Sequence, residues 1–271
     1  MKMNVLDLNG KNLKQIDVPE QFEGEYNQDL IKRAVMAIQS NKRQPYGAKP
    51  RAGKRYSSKL SRRRRQYKGS YGHGMSRVPR KVMWRRGMQF GYVGAHAPGT
   101  VGGRRAHPPK AEKRWNKKIN INERRKAIRS SLAASLNLEI IKQRNHIAPQ
   151  NFPFFVTSEI EDIKKTKDIL NVLNTLGFRQ ELERVIKKTV KAGKGKSRNR
   201  PYKKKKGPLI VVSKKCSLIK SASNIPGIDI IDIKNINVEL LAPGTIPGRL
   251  TLYTENAVET LIKDKLFLNK K

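Results

Sequence analysis

"PLIVVSKKCSLIKSASNIPGIDIIDIKNINVELLAPGTIPGRLTLYTENAVETL", residues 208–261, holds three apolar runs divided by polar segments marked with glycine and proline. Pro208 to Val212, Ile228 to Ile233 and Leu250 to Thr254 are short and mostly apolar, with many β-branched residues. That composition suits strands buried on both faces. Helices are expected near Asn237 to Leu241 and from Glu255 to Lys265. Strands alternating with helices predict an α/β fold, a mostly parallel sheet with helices on both faces.

Upstream, Phe154 to Val156 is a further apolar run, and Ser158-x-x-Glu161 has the spacing of a capping box. Ile169, Leu170, Leu173 and Leu176 line a helix that Gly177 can terminate, and Leu182, Val185 and Ile186 suggest another. From Asn122 onward, Ile128, Leu132, Leu136 and Ile140 recur every four residues. At the start, Val5, Leu6 and Leu8 precede Asn9-Gly10, and Leu13, Ile16 and Val18 follow, a hairpin pattern. With Asn27 or Asp29 as cap, Leu30, Ile31, Ala34, Val35 and Ile38 then share a helical face. The elements of one sheet thus fall on both sides of residues 45–110, which carry no such pattern.

That segment holds 11 of the 20 glycines and 6 of the 14 prolines, with neither helical nor strand periodicity. Loops this long are rare in compact domains unless functional or disordered. The expectation is one α/β domain over 1–271 with 45–110 inserted in it. Fully extended, the excursion could reach roughly 100 Å.

Charge follows the same division. Net charge is +39, and residues 30–111 carry 22 Lys or Arg without one Asp or Glu. Residues 187–206 add 11 more basic residues, again without an acid, and the rest of the chain is nearly balanced. Self-repulsion of this size opposes compaction and calls for a polyanion as counterweight. Thirteen of the twenty basic residues from Lys42 to Lys110 are arginines, whose planar fork suits phosphate. Tyr46, Tyr56, Tyr67, Tyr71, Trp84, Phe90 and Tyr92 interleave with them and offer surfaces for unstacked bases.

Other chemistries find little support. No G-x-G-x-x-G follows the first strand, and Gly195-Lys196-Ser197 lacks the leading P-loop glycine, since that position is Val190. His73, His96, His107 and His146 show no ligand spacing, and Cys216 is the only cysteine, so no metal or cofactor is expected. Cys216 reads as a small core residue. The N-terminus has no apolar signal core and no run spans a bilayer, so a cytoplasmic location is expected. Three readings remain from the residues alone: a structural RNA binder, an RNA-modifying enzyme with a basic guiding arm, and a DNA-compacting protein.

Four stretches go further. "YGHGMSRVPRKV" (71–82), "GGRRAHPPKAEKRWNKKININERRKAIRSSLAA" (102–134), "KAGKGKSRNRPYKKKKGPLIVV" (191–212) and "LAPGTIPGRLTLYTENAV" (241–258) resemble, in this order, the L-four family of large-subunit ribosomal proteins in its archaeal and eukaryotic form. The resemblance implies a non-enzymatic constituent of the large subunit, supporting its assembly, one copy per ribosome, with no membrane association. It implies large-subunit rRNA, neighbouring ribosomal proteins and the nascent polypeptide as partners. The loop, about Pro45 to Lys110, would thread through rRNA to the wall of the exit tunnel, its tip between about Gly72 and Val93. Ala192 to Gly207 would be a second RNA-contacting segment. Carried onto this chain, the rRNA-binding candidates are Arg51, Arg62, Arg63, Arg64, Arg65, Arg77, Arg80, Lys81, Arg85, Arg86, Arg104, Arg105 and His107. In the second segment they are Lys194, Lys196, Arg198 and Arg200. Trp84, Met88, Phe90 and Tyr92 are the tunnel-facing candidates. No lysine-rich extension follows Lys271, which makes an archaeal source the expectation.

Overall fold

The structure is a computed structural model that describes residues 2–66 and 69–268. It divides into two compact units, one formed by residues 1–42 with 116–271 and the other by Arg43–Trp115.

In the first unit β1 (Lys2–Leu6) and β2 (Asn12–Asp17) form the expected antiparallel hairpin. Helix α1 (Gln28–Asn41) follows, capped by Asn27, whose side chain accepts the Leu30 N–H at 3.0 Å. In the second unit lie β3 (Arg80–Arg86) and β4 (Gln89–Gly94). The chain returns through α2 (Ile121–Leu136), α3 (Leu138–Gln143), β5 (Phe155–Val156), α4 (Thr166–Thr175) and α5 (Arg179–Ile186). A short ribbon, β6 (Thr189–Val190) with β7 (Tyr202–Lys203), precedes β8 (Leu209–Val212), α6 (Ser217–Ala222) and β9 (Asp229–Asp232). Helix α7 (Val238–Leu241), β10 (Thr251–Thr254) and α8 (Glu255–Lys263) complete it.

Six strands form one sheet in the order β2-β1-β5-β10-β8-β9, parallel except for the β2 edge. Strand β8 shows why its sequence is continuously apolar. Leu209 and Val211 enter a core with α1, α2, α7 and α8, while Ile210 and Val212 enter a second core with α3 to α6. Side chains alternate across a strand, and both faces here are dry. The α/β architecture expected from the sequence is therefore present. Gly177, at φ 88°, ends α4 as expected.

Three local readings need correction. Residues 158–162 form a short 3-10 turn in which Ser158 caps nothing. Glu161 instead is buried and accepts hydrogen bonds from the Ser213 N–H (2.9 Å), Ser213 Oγ (2.7 Å) and Thr254 Oγ1 (2.6 Å). Three donors at the ends of β8 and β10 outcompete the single cap bond, so the carboxylate clamps two strands. Helix α6 was not expected, being one and a half turns long with only Leu218, Ser221 and Ala222 buried. Within 45–110, where no regular structure was expected, β3 and β4 form an antiparallel hairpin.

Candidate nucleic-acid interface

The unit of residues 43–115 starts from two arms held together by backbone. The Ala48 N–H donates to the Pro109 carbonyl at 3.0 Å. A Cβ on Gly47 would lie 2.8 Å from the Ala111 nitrogen, and one on Gly53, at φ 70°, 2.5 Å from the Arg104 backbone. Glycine is required at both crossings because the outgoing and returning strands touch without side chains between them. At the base of the arms the Arg43 guanidinium sits 3.6 Å from the Trp115 ring centroid, with Tyr46 stacked on the same indole at 5.8 Å. The sequence reading passed over Arg43 and Trp115; the adjoining tryptophan and basic residues of "KRW" were the available signal.

The β3–β4 hairpin turns through Gly87-Met88, with Gly87 at φ 57° and Met88 on the ordinary side, a two-residue loop led by glycine. That is the type II′ pattern, whose twist matches that of the paired strands. Register slips between Val82 and Trp84, leaving Met83 as a bulge, which is why the sequence shows no clean alternation. Trp84 is opposite Gly91, and Arg85 opposite Phe90. Phe90 and Tyr92 are stacked at 5.6 Å, and since they flank Gly91 they project from the face opposite Trp84. Met88, at the turn, and Trp84 are exposed, 76% and 57%, whereas Phe90 and Tyr92 are half-buried. The four tunnel-facing candidates therefore do not form one surface.

Most of the basic candidates stand in solvent. Arg51, Arg62 to Arg65, Arg77, Arg85, Arg86, Arg105 and His107 are exposed, with Arg80, Lys81 and Arg104 half-buried. Arg64 and Arg77 lie 5.8 and 5.1 Å from the Tyr71 ring, Lys81 3.9 Å from Tyr56, and Arg85 5.4 Å from Phe90. Rings proposed for bases thus also hold cations through cation–π contact, keeping like charges spaced on a segment without a carboxylate. Tyr67 lies outside the described residues.

The second basic segment is a ribbon on the first unit. Lys191 donates its N–H to the Pro201 carbonyl at 2.7 Å beyond the β6–β7 pair, and the turn carries Lys194, Lys196, Arg198 and Arg200, all exposed. Gly195-Lys196-Ser197 lies in this turn, with no helix after it, so it is no phosphate-cradling P-loop. Its exit is pinned: Arg184 donates to the Lys206 carbonyl at 2.8 Å and the fully buried Arg249 to the Gly207 carbonyl at 2.9 Å. Arg249 also reaches Asp229 at 2.7 Å. Burial pushes the Asp229 carboxyl upward, but Lys206 and Arg249 outweigh it and hold it below the usual range. Burial, with Arg249 and Arg184 nearby, pushes Arg144 down to about 10.

Beneath this cluster, His146 Nδ1 lies 2.6 Å from Glu181 Oε1, both side chains buried. Glu181 also accepts the Ile147 N–H and two bonds from Arg184, so every oxygen is committed to the scaffold. Cys216 is half-buried, and burial raises its thiol pKa, the opposite of a nucleophile's requirement. At the carboxyl ends of the strands an open depression of about 470 Å³ is bordered by Lys214, Lys215, Asp232 and Lys263, none buried. No group of three or more His, Cys, Asp or Glu among the described residues is placed to hold a metal. No helix among them is long and apolar enough to cross a membrane.

A model of the ribosomal protein L4/L1 family matches residues 16–264. The chain belongs to this family. A large ribosomal subunit protein uL4 from Nanoarchaeum equitans is 48% identical over 268 residues, 98% of this chain and 100% of the relative. One from Archaeoglobus fulgidus is 45% identical, covering 96% of this chain and 98% of its own length, and one from Methanocaldococcus jannaschii 43%, covering 96% and 98%. These relatives are archaeal, in keeping with the source type expected. Members of the L4/L1 family are structural proteins, not enzymes, and the His146–Glu181 pair is accordingly part of the framework.

Proposed function

We propose that the chain is a structural constituent of the large ribosomal subunit, in which residues 45–110 form an rRNA-binding arm inserted in the α/β domain. Residues 192–207 form a second RNA contact, and the β3–β4 hairpin contributes to the wall of the polypeptide exit tunnel. One observation carries this reading. An arginine-rich segment without a carboxylate brings its two arms into backbone contact at glycines and displays its cations outward, leaving an external polyanion to neutralise them. Arg51, Arg62 to Arg65, Arg77, Arg86 and Arg105 neutralise phosphates, and the same contacts support subunit assembly. Membership in the L4/L1 family and relatives named as large-subunit proteins support the location.

The test is removal of residues 72–93. The α/β unit, whose cores include none of them, is expected to fold, while large-subunit maturation or tunnel density changes. Normal maturation with an unaltered tunnel would defeat the reading.

A further inference from the structure

Within the unit of residues 43–115 lies a cavity of about 490 Å³, walled on one side by the β3–β4 hairpin. Met75, Val78 and Val82 line it with apolar surface, and Tyr92 adds an aromatic ring. Ser57, Ser61 and Ser70 bring hydroxyls to it, and Lys59 and Arg80 bring positive charge. We propose that this cavity seats a single unstacked nucleotide of an RNA chain, its base against Tyr92 and the valines and its phosphate beside Lys59 and Arg80.

The inference rests on the RNA-binding reading and narrows it to one pocket. The volume lies within the ~300–1,000 Å³ usual for small-ligand sites, whereas a base-paired duplex is too large to enter. The lining matches the three parts of a nucleotide. A bare phosphate has no use for three apolar side chains and a ring, and an apolar ligand has none for two cations. Bases in loops and bulges splay out, stack on aromatic rings and present edges to hydroxyl partners. Because Tyr92 is already stacked on Phe90 at 24° between planes, an entering base extends an existing aromatic pair.

The cavity's walls are held in place. The Arg80 N–H donates to the Lys59 carbonyl at 3.4 Å, a bridge that sets the 57–61 segment beside β3. The Arg80 guanidinium is tied to the Ser76 carbonyl at 2.5 Å and to Ser76 Oγ at 3.0 Å, so its charge is fixed at the rim. No carboxylate occurs between residues 30 and 111 to repel a phosphate.

Density for purified large subunits containing the full chain decides the matter. One base, continuous with the rRNA backbone, is expected between Tyr92 and Val78. A cavity closed by protein side chains, left empty, or holding a free nucleotide unconnected to rRNA overturns the proposal. Absence of the chain from the subunits would instead overturn the ribosomal reading, so the two failures are distinct. Val78→Trp, which fills the cavity, is expected to expose one rRNA nucleotide to 2′-hydroxyl acylation in particles that retain the protein. An unchanged reactivity profile in those particles also overturns it.

Discussion

The indole of Trp84 lies directly across the Cα of its cross-strand partner Gly91, and a Cβ added at Gly91 would overlap the ring. Gly91 has an ordinary φ, so glycine is needed there for space and not for backbone conformation. Gly91→Ala is expected to displace the indole while Phe90 and Tyr92, on the other face, keep their stacking. Because Trp84 is exposed, the ring can swing outward, so the change is expected in its position rather than in the stability of the fold. Density for the hairpin in variant large subunits is the measurement, and an indole unmoved from its place over residue 91 contradicts it.

Because Trp84 and the Phe90–Tyr92 pair occupy opposite faces, one flank of the hairpin at most can line a tunnel lumen. Single cysteines at 84, 90 and 92 are expected to divide accordingly when a nascent chain carrying a thiol-reactive crosslinker is stalled in the ribosome. Either 84 alone reacts, or 90 and 92 react without 84. The background is low because Cys216 is half-buried with a raised thiol pKa. Equal labelling at 84 and 92 counts against the two-faced arrangement.

The sequence made the α/β sheet legible because β8 is apolar throughout with both faces in a core, while Leu30, Ile31, Ala34, Val35 and Ile38 of α1 share one face turned to a core. The hairpin was illegible for a physical reason: the Met83 bulge shifts the alternation and five of the seven β3 residues are exposed, so burial leaves no pattern to read. Glu161 misled because a capping box and a buried clamp look alike until the ends of β8 and β10 are placed beside it. Charge, in contrast, needs no packing to be read. The basic candidates and the two segments proposed to bind RNA came from composition and resemblance, whereas the glycine crossings at 47 and 53 required coordinates.

Counterion release gives the basic arm a quantitative signature. A protein contacting 6 to 10 phosphates loses roughly 10³ to 10⁵ in affinity between 50 and 200 mM salt. Binding of the full chain to large-subunit rRNA is expected to show that slope. Replacing Arg62 to Arg65 together by glutamine is expected to lower its magnitude by about 0.9 per phosphate contact removed. A flat titration by filter binding excludes the electrostatic account.

Arg249 predicts stability. Its guanidinium is fully buried and donates to the carbonyls of Gly207 and Leu240 at 2.9 and 3.0 Å and to Asp229 at 2.7 Å. It thereby ties the start of β8, the start of β9 and α7 at one point. Arg249→Met removes the cation and takes a donor from the Gly207 and Leu240 carbonyls, while Asp229 keeps Lys206 at 2.9 Å, so a loss of about 1–3 kcal/mol is expected. Arg249→Lys keeps the charge without the fork and is expected to recover only part. Urea denaturation of the full chain measures both, and a methionine variant as stable as the parent refutes the assignment.

Acid should destabilise the fold through His146 and Glu181. Burial holds the His146 pKa below its ordinary 6.5, against the opposing pull of Glu181. The folded chain therefore binds fewer protons there than the unfolded chain, and stability declines as pH falls below about 6.5. Burial raises Glu181, but hydrogen bonds from Arg184, His146 and Ile147 outweigh it and keep its pKa below 4.5. Its contribution is whole above that value and is lost as pH falls through the folded pKa. Both groups act in the same direction, in successive windows. The urea midpoint is expected to be level near neutrality, to fall from about pH 6.5, and to fall further below about 4.5. His146→Gln removes the first titrating group and should flatten the upper window while leaving the lower one. An undiminished decline between about pH 6.5 and 5 in that variant would show that another group controls the acid limb.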